Sequence, residues 1–290
     1  METISAIGES NFRLMIFASV FAAMAIAEMV APRRDRTFGR PQRWFTNFGM
    51  LIVSAIAVRL AFPIASVGFA LWAEDNGIGL FNLAGVPGWI AGILTLLVLD
   101  LAIWFQHLVT HKVPVLWRIH RVHHADRDFD FTSALRFHPI EILLSMLWKM
   151  VVIVALGAPP VAVFIFEATL NGMAMFNHAN LKIPLGLDRI LRILVVTPDM
   201  HRVHHSTEIA ETDSNYGFNL SLWDRLFGTY VAQPARGHDG MTIGLTDYQS
   251  DRPTRLGWSL FLPFSRQNRM RRRASARPDR SADQTETPAQ

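Results

Sequence analysis

Residues 140–176 read IEILLSMLWKMVVIVALGAPPVAVFIFEATLNGMAMF, and the way this stretch crosses a bilayer decides the fold. It is about 37 residues long and apolar except at a few positions, among them Glu141, Lys149 and Glu167. As one helix it would extend ~55 Å, well past the roughly 30 Å hydrocarbon core, and Gly157-Ala158-Pro159-Pro160 interrupts it at its middle. It therefore reads as a helical hairpin, with one arm from Ile140, a turn at the proline pair and a return arm ending at Phe176.

Three more apolar blocks precede it: residues 13–31, interrupted by Glu28; Phe48–Trp72, containing Arg59; and Val86–Phe105, containing Asp100. With their flanks they reach the roughly 17–25 residues that a membrane helix needs. The 290 residues are 50% hydrophobic and 18% charged, with mean hydropathy +0.22, which excludes a disordered chain and disfavours a water-soluble domain. The expected fold is an all-α, multi-pass integral membrane protein: three transmembrane helices plus the hairpin. The first block lacks a basic segment before it and a small-residue cleavage site after it, so it reads as a membrane helix and not a signal peptide. With no cysteine, disulfides, Cys-ligated iron–sulfur clusters, thiolate-bound haem and Cys-type zinc fingers are excluded.

The net charge is +4, and of 28 basic residues only Lys112, Lys149 and Lys182 are lysine. In a membrane protein such charge signals orientation and headgroup contact before nucleic acid, and no nucleic-acid partner is expected. The loop Pro32–Phe45 carries Arg33, Arg34, Arg36, Arg40 and Arg43, whereas residues 73–85 carry only Glu74 and Asp75. The positive-inside rule places the arginine loop in the cytoplasm and the N-terminus outside. Gln106 onward then emerges on the cytoplasmic face, and the hairpin returns Asn177 to it. Residues 1–250 read as one membrane domain, and 251–290, with Arg269, Arg271, Arg272 and Arg273, as a polar, basic, disordered tail. Arginine-rich usage and the lack of an ER-retrieval ending favour a bacterial inner membrane over the ER.

Ten of the eleven histidines lie between His107 and His205. The spacings are H-x3-H (His107, His111) and H-x2-H-H twice, in the repeated pentapeptide HRVHH (His120, His123, His124; His201, His204, His205), with His138 and His178 between. Positions i, i+3 and i+4 share one helix face, so each group can aim its imidazoles at one point. A catalytic zinc uses about three protein ligands, and eight clustered histidines fit two metals better than one. All three groups fall on the cytoplasmic edge, the last only because the preceding block crosses twice. His138, in Phe137-His138-Pro139, reads equally as ligand or as structural residue, and His238 reads as structural or surface. Asp100 shares a helix stripe with His107 and His111; it either orients a ligand imidazole or pairs with Arg59.

Asp100 through His111, with the first histidine pair, resembles the first motif of the fatty acid hydroxylase superfamily, which includes sterol desaturases, sphingolipid hydroxylases and alkylglycerol monooxygenase. The likeness continues through His120–His124 with Phe137-His138-Pro139, Asn177–Asn180, Thr197–Ser206, Asn215-Tyr216-Gly217 and Trp223–Thr229, covering about residues 94–230. One departure is Leu108, where the family often has arginine after its first histidine; it bears on subfamily. The resemblance implies a cytoplasmic histidine-rich cap holding two non-haem iron ions. It also implies O2-dependent hydroxylation or desaturation of a lipid drawn from the bilayer. Carried over by position, the ligands are His107, His111, His120, His123, His124, His178, His201, His204 and His205, with His138 added and Asp100 supporting them.

No flavin, Rossmann or haem-attachment motif is present, so electrons are expected from a separate protein partner or a diffusible reductant. C–H oxidation lies beyond side-chain acids and bases and calls for a redox metal. A metal-binding transporter or sensor is the competing class; it predicts ligands near mid-membrane along a path. Zinc hydrolysis is disfavoured by the absence of H-E-x-x-H. Trp223 and Phe227, at i and i+4, are expected to pack the cap onto the membrane helices.

Overall fold

Prolines mark where the helices begin, because a first-turn residue needs no N–H partner and proline's φ already suits the helix. The computed structural model describes residues 2–265. In chain order the helices are α1 Glu2–Val30, α2 Arg40–Ala61, α3 Ser66–Asp75, α4 Leu80–Leu83, α5 Gly88–Lys112, α6 Pro114–His124, α7 Pro139–Leu156, α8 Pro160–Asn177, α9 Leu185–Leu191 and α10 Pro198–His204. Four short ones follow: α11 Ile209–Thr212, α12 Leu222–Leu226, α13 Gly237–Gly240 and α14 Leu256–Phe261. Pro41, Pro114, Pro139, Pro160 and Pro198 all sit in first turns. Among the described residues there is no β-sheet, only isolated bridges.

Four segments are long and apolar enough to cross a bilayer: Asn11–Val30, Arg40–Leu83, Gly88–Lys112 and Pro139–Leu156. α8 then brings the chain back to the histidine end, as the hairpin reading requires. The second block is one crossing broken at Pro63, which disfavours helix at Phe62. Its three levels are visible on α7. Ser54 Oγ reaches the Phe137 carbonyl at 3.3 Å, Ser66 Oγ reaches Met146 Sδ at 3.2 Å, and Gly79 meets Gly157 at the far turn. Gly79 (φ +98°) and Gly157 (φ +66°) approach so closely that a Cβ on Gly79 would lie 2.1 Å from the Gly157 nitrogen. Only glycine serves there, for conformation and for space.

The two hairpin arms do not pack mainly on each other. α3 and α5 lie between them, α2 covers α7, and α1 covers α8. Val67, Ala70, Leu99, Ile103, Ile153, Ala158, Val163 and Phe166 interdigitate at this centre. Apolar side chains such as Ile56, Leu60, Ile93, Leu147, Val151 and Val161 remain exposed on the outer faces, as a lipid-facing surface demands.

α6, α9–α14 and the intervening loops form a cap over one end of this bundle. The arginine loop is drawn into it. Arg36 pairs with buried Glu28 at 2.6 Å, Arg43 with Asp126 at 2.8 Å and Asp130 at 2.5 Å, Arg33 with Asp239 at 2.5 Å, and Arg34 donates to the Met241 carbonyl at 2.9 Å. These charges hold the cap together, so few remain for headgroups. The expected tail is partly folded: Arg136 donates to the Pro253 carbonyl at 2.6 Å and Ser259 Oγ at 2.7 Å, and Arg121 to the Leu262 carbonyl at 2.7 Å, fixing residues 252–264 on the cap. The basic run 269–273 and the rest of the tail lie outside the described residues.

Candidate metal centre

Nine histidines from four places in the chain meet at the junction of bundle and cap. His107 and His111 come from the last two turns of α5, and His120, His123 and His124 from α6. His178 caps α8, while His201, His204 and His205 come from α10 and its C-cap. Val113-Pro114 ends α5 and starts α6 at once, which folds the first two groups toward each other. All nine are buried.

The imidazoles sort into two sets, His107, His111, His120, His124 and His204, and His123, His178, His201 and His205. Within each set, one ring nitrogen from every histidine lies within 4.8 Å of those of the others, close enough to hold a metal ion. The ring orientations test whether a metal fits. His107 Nδ1 donates to the Tyr216 carbonyl at 2.8 Å, and His120 Nδ1 donates to Glu141 Oε1 at 2.5 Å. Both therefore present an Nε2 lone pair to the interior, and these two nitrogens are 3.2 Å apart. Two facing lone pairs repel unless a cation lies with them. His178 Nδ1 and His204 Nδ1 donate to the Ala174 and Ser214 carbonyls at 2.7 and 2.6 Å, again leaving Nε2 inward. His204 Nε2 and both His205 nitrogens are buried without a hydrogen-bond partner. Orphaned polar atoms of this kind are costly in an apolar interior, and a bound ion would satisfy them.

Protonation agrees with ligation. Burial, then the neighbouring imidazoles, hold His123, His124, His201 and His205 well below the usual histidine range. Burial lowers His178 to about 4 and His204 to about 3, although their carbonyl bonds act the other way. Neutral imidazole is the form that binds metal.

His138 is not brought to the cluster. Its Nδ1 caps α7 by accepting from Ile140 N at 3.2 Å, and its Nε2 lies 3.1 Å from the Leu260 carbonyl. Its place in the chain beside the second group misleads, because Pro139 starts a new helix there. Asp100 does not reach an imidazole, and Arg59 is exposed and does not pair with it. Asp100 Oδ2 accepts from Trp223 Nε1 at 2.8 Å and Leu220 N at 3.2 Å, anchoring the loop that carries the Tyr216 carbonyl. Phe227 stacks on Trp104 at 4.6 Å, so both aromatics of the 223–229 segment pack the cap onto α5. His238 is buried beside Asp199, 3.6 Å from its Oδ2.

Four supporting residues escape a reading by histidine spacing. Glu141 orients His120, and Asp213 Oδ1 lies 3.4 Å from His111 Nδ1. Asn215 sits between the two carbonyls that orient His204 and His107. At φ +49° it adopts a conformation asparagine tolerates, and its side chain bonds the Met200 and Val231 carbonyls at 2.9 and 2.8 Å and Val231 N at 2.9 Å. Asp224 accepts from Trp104 Nε1 at 3.0 Å and from Tyr216 N and Gly217 N, each at 2.8 Å. A carboxylate one turn into a helix after a proline, as at Glu141, is the sole local signal among them.

The fatty acid hydroxylase family model matches residues 92–229, which include all nine clustered histidines. An ornithine lipid hydroxylase of Rhizobium tropici is 31% identical over 229 residues, covering 76% of this chain and 67% of the relative. Alkylglycerol monooxygenase of Xenopus tropicalis is 34% identical over 160 residues (54% of this chain, 34% of the relative). Cholesterol 25-hydroxylase of Rattus norvegicus is 28% identical over 145 residues (49% and 47%). The match therefore spans two thirds of the first relative and a third to a half of the others. No solved structure matches. These relatives are lipid-hydroxylating oxidoreductases, and the chain belongs to the fatty acid hydroxylase family.

Proposed function

We propose that this protein is a membrane-bound oxygenase that uses two iron ions, O2 and external electrons to hydroxylate a lipid. The observation that carries the reading is a cavity of about 520 Å³ that has His107 and His120 in its wall and runs on between α1, α2, α7 and α8. Its other walls are largely apolar, including Phe17, Leu51, Val58, Ile103, Phe137 and Leu170. The volume is that of a small-molecule site, and the lining suits a chain or ring system entering from the bilayer.

His107, His111, His120, His124 and His204 would hold one iron, and His123, His178, His201 and His205 the other. Bound iron supplies the O2-dependent C–H oxidation that protein side chains cannot perform. The side chains set the conditions. Glu141 and the carbonyls of Ala174, Ser214 and Tyr216 fix four imidazoles in the Nδ1–H tautomer, so Nε2 is the donor atom. Phe137, stacked on His123 at 4.2 Å, walls the site and helps exclude water. His138 holds the start of α7 and is not among the proposed ligands.

The positive-inside rule supports a cytoplasmic position for the cap and its arginine loop, and the arginine-rich usage supports a bacterial inner membrane. Electrons come from a separate carrier or a diffusible reductant reaching that face. A transport path through mid-membrane is disfavoured because both histidine sets lie at one end of the bundle.

The test is turnover of iron-loaded, reduced protein on a lipid panel under 18O2, read by mass spectrometry. One 18O atom in a product, absent from a His123→Ala/His204→Ala variant, is expected. No labelled product and no O2 uptake with any lipid class would sink the reading.

A further inference from the structure

One side of the cap is built inside out. In α9 and the turn that follows it, Asp188 and Arg192 are buried and paired with each other, while Ile190, Ile193 and Leu194 point outward. α12 repeats the pattern, burying Asp224 and exposing Leu226 and Phe227. These five apolar side chains are 52–68% exposed. Scattered apolar residues on a surface are ordinary, whereas a joined patch marks an interaction surface. The two elements are joined: Val196 N donates to the Asn219 carbonyl at 2.9 Å, and Ser221 N to the Leu194 carbonyl at 3.1 Å.

The depth of the patch decides what covers it. Trp223 Nε1 and Leu220 N donate to Asp100 Oδ2 at 2.8 and 3.2 Å, and Phe227 stacks on Trp104 at 4.6 Å. Asp100 lies twelve residues from either end of α5, ~18 Å at 1.5 Å per residue, and both Asp100 and Trp104 belong to a segment apolar enough to cross a bilayer. α12 therefore lies beside the apolar length of α5 and not beyond its end, and its outer face continues the lipid-facing surface of the bundle. At that depth backbone groups must be satisfied from within. The Arg192 carbonyl accepts from Ser221 Oγ at 2.7 Å and Arg225 Nη2 at 2.8 Å, and the Leu194 carbonyl from Ser221 N. Lys182 and Arg189 are exposed alongside, suited to anionic headgroups.

We propose that α9 and α12 form a membrane-embedded footing of the cap, with their shared apolar face immersed in the acyl region of the leaflet on the histidine side. The proposal goes beyond the oxygenase reading and does not depend on it. The footing is tied to the frame of the metal centre at two points. The turn after α9 leads directly into α10, which carries His201 and His204. Asp224 of α12 accepts from Tyr216 N and Gly217 N, beside the carbonyl that orients His107. The bilayer thus bears on the same segments that position these imidazoles.

The chain has no cysteine, so a single introduced thiol reports on one position without further changes. The experiment labels Ile193→Cys and Leu226→Cys with a bimane fluorophore in the full-length protein, held in nanodiscs of phosphatidylcholine and phosphatidylglycerol with plain or brominated acyl chains. Leu147→Cys on the lipid-facing side of α7 and Arg236→Cys on an exposed loop are the references. Brominated chains should quench the labels at 193 and 226 as strongly as the label at 147, and aqueous iodide should leave all three bright while quenching the label at 236. Iodide quenching at 193 and 226 to the extent seen at 236 would overturn the footing. Labels reached by neither quencher would overturn it too, since a second copy or another protein would then cover the face. Both substituted side chains are exposed, and should one variant fail to fold, the other decides. The readout needs neither metal nor turnover, so its outcome leaves the oxygenase reading untouched.

Discussion

Replacing Glu141 separates the proposed metal set it supports from the set it does not touch. Its Oε1 accepts from His120 Nδ1 at 2.5 Å, with the two side chains 9% and 1% exposed. A hydrogen bond to a charged group contributes about 1.5–3 kcal/mol, and a neutral one about 0.5–1.5. Glu141→Gln keeps the acceptor and removes the charge, so metal in the five-histidine set should weaken by about 1–1.5 kcal/mol, roughly 5–13-fold. Glu141→Leu removes the acceptor as well, costing about 1.5–3 kcal/mol, or roughly 10–150-fold, close to the roughly 10–100-fold typical for groups that orient a ligand imidazole. The assay is competitive titration of the purified protein with a chelator of known affinity, resolving two metal equivalents. One equivalent should weaken in the order wild type, Gln, Leu, while the equivalent held by His123, His178, His201 and His205 stays unchanged. Both equivalents weakening together, or neither moving, would refute the reasoning.

Asn215→Ala loses three side-chain bonds and takes alanine to φ +49°, for a cost of about 3–4 kcal/mol; Asn215→Gly, free of the conformational strain, should recover about 1 of it in thermal unfolding. His238, which burial lowers to about 4 against about 6.5 when unfolded, is neutral in the fold. The unfolded chain gains a proton first, so this histidine's contribution is full above pH ~6.5 and is lost as the pH falls toward 4. His238→Gln should accordingly flatten the acid limb of Tm against pH, and an unchanged limb would contradict this. Gly79→Ala forces a Cβ onto the Gly157 backbone at a positive φ, and should abolish the folded detergent-soluble fraction in size-exclusion chromatography.

Much of the fold is written locally. The apolar blocks, the proline pair and the first-turn prolines lie in plain view, and i, i+3, i+4 spacing alone groups the histidines by helix face. What spacing does not carry is which groups from distant segments meet. Glu141, Asn215 and Asp224 act through partners scattered along the chain, and two of the three backbone carbonyls orienting imidazoles come from the 214–216 loop. His138 shows the reverse error, since adjacency in sequence placed it with ligands that a new helix carries it away from. Asp100 is on the expected stripe, yet the cap loop supplies nearer donors than any imidazole. The arginine loop is legible as charge, but its buried acidic partners, Glu28, Asp126 and Asp130, decide where that charge points.

The central claim is a pair of histidine-held iron sites, and the most direct measurement is iron per chain by elemental mass spectrometry on protein loaded under reducing conditions. Two irons are predicted for wild type, falling to one in His178→Ala/His205→Ala, which strips one set and leaves the other. Fewer than one iron in folded wild type, or the same content in the variant, would contradict it.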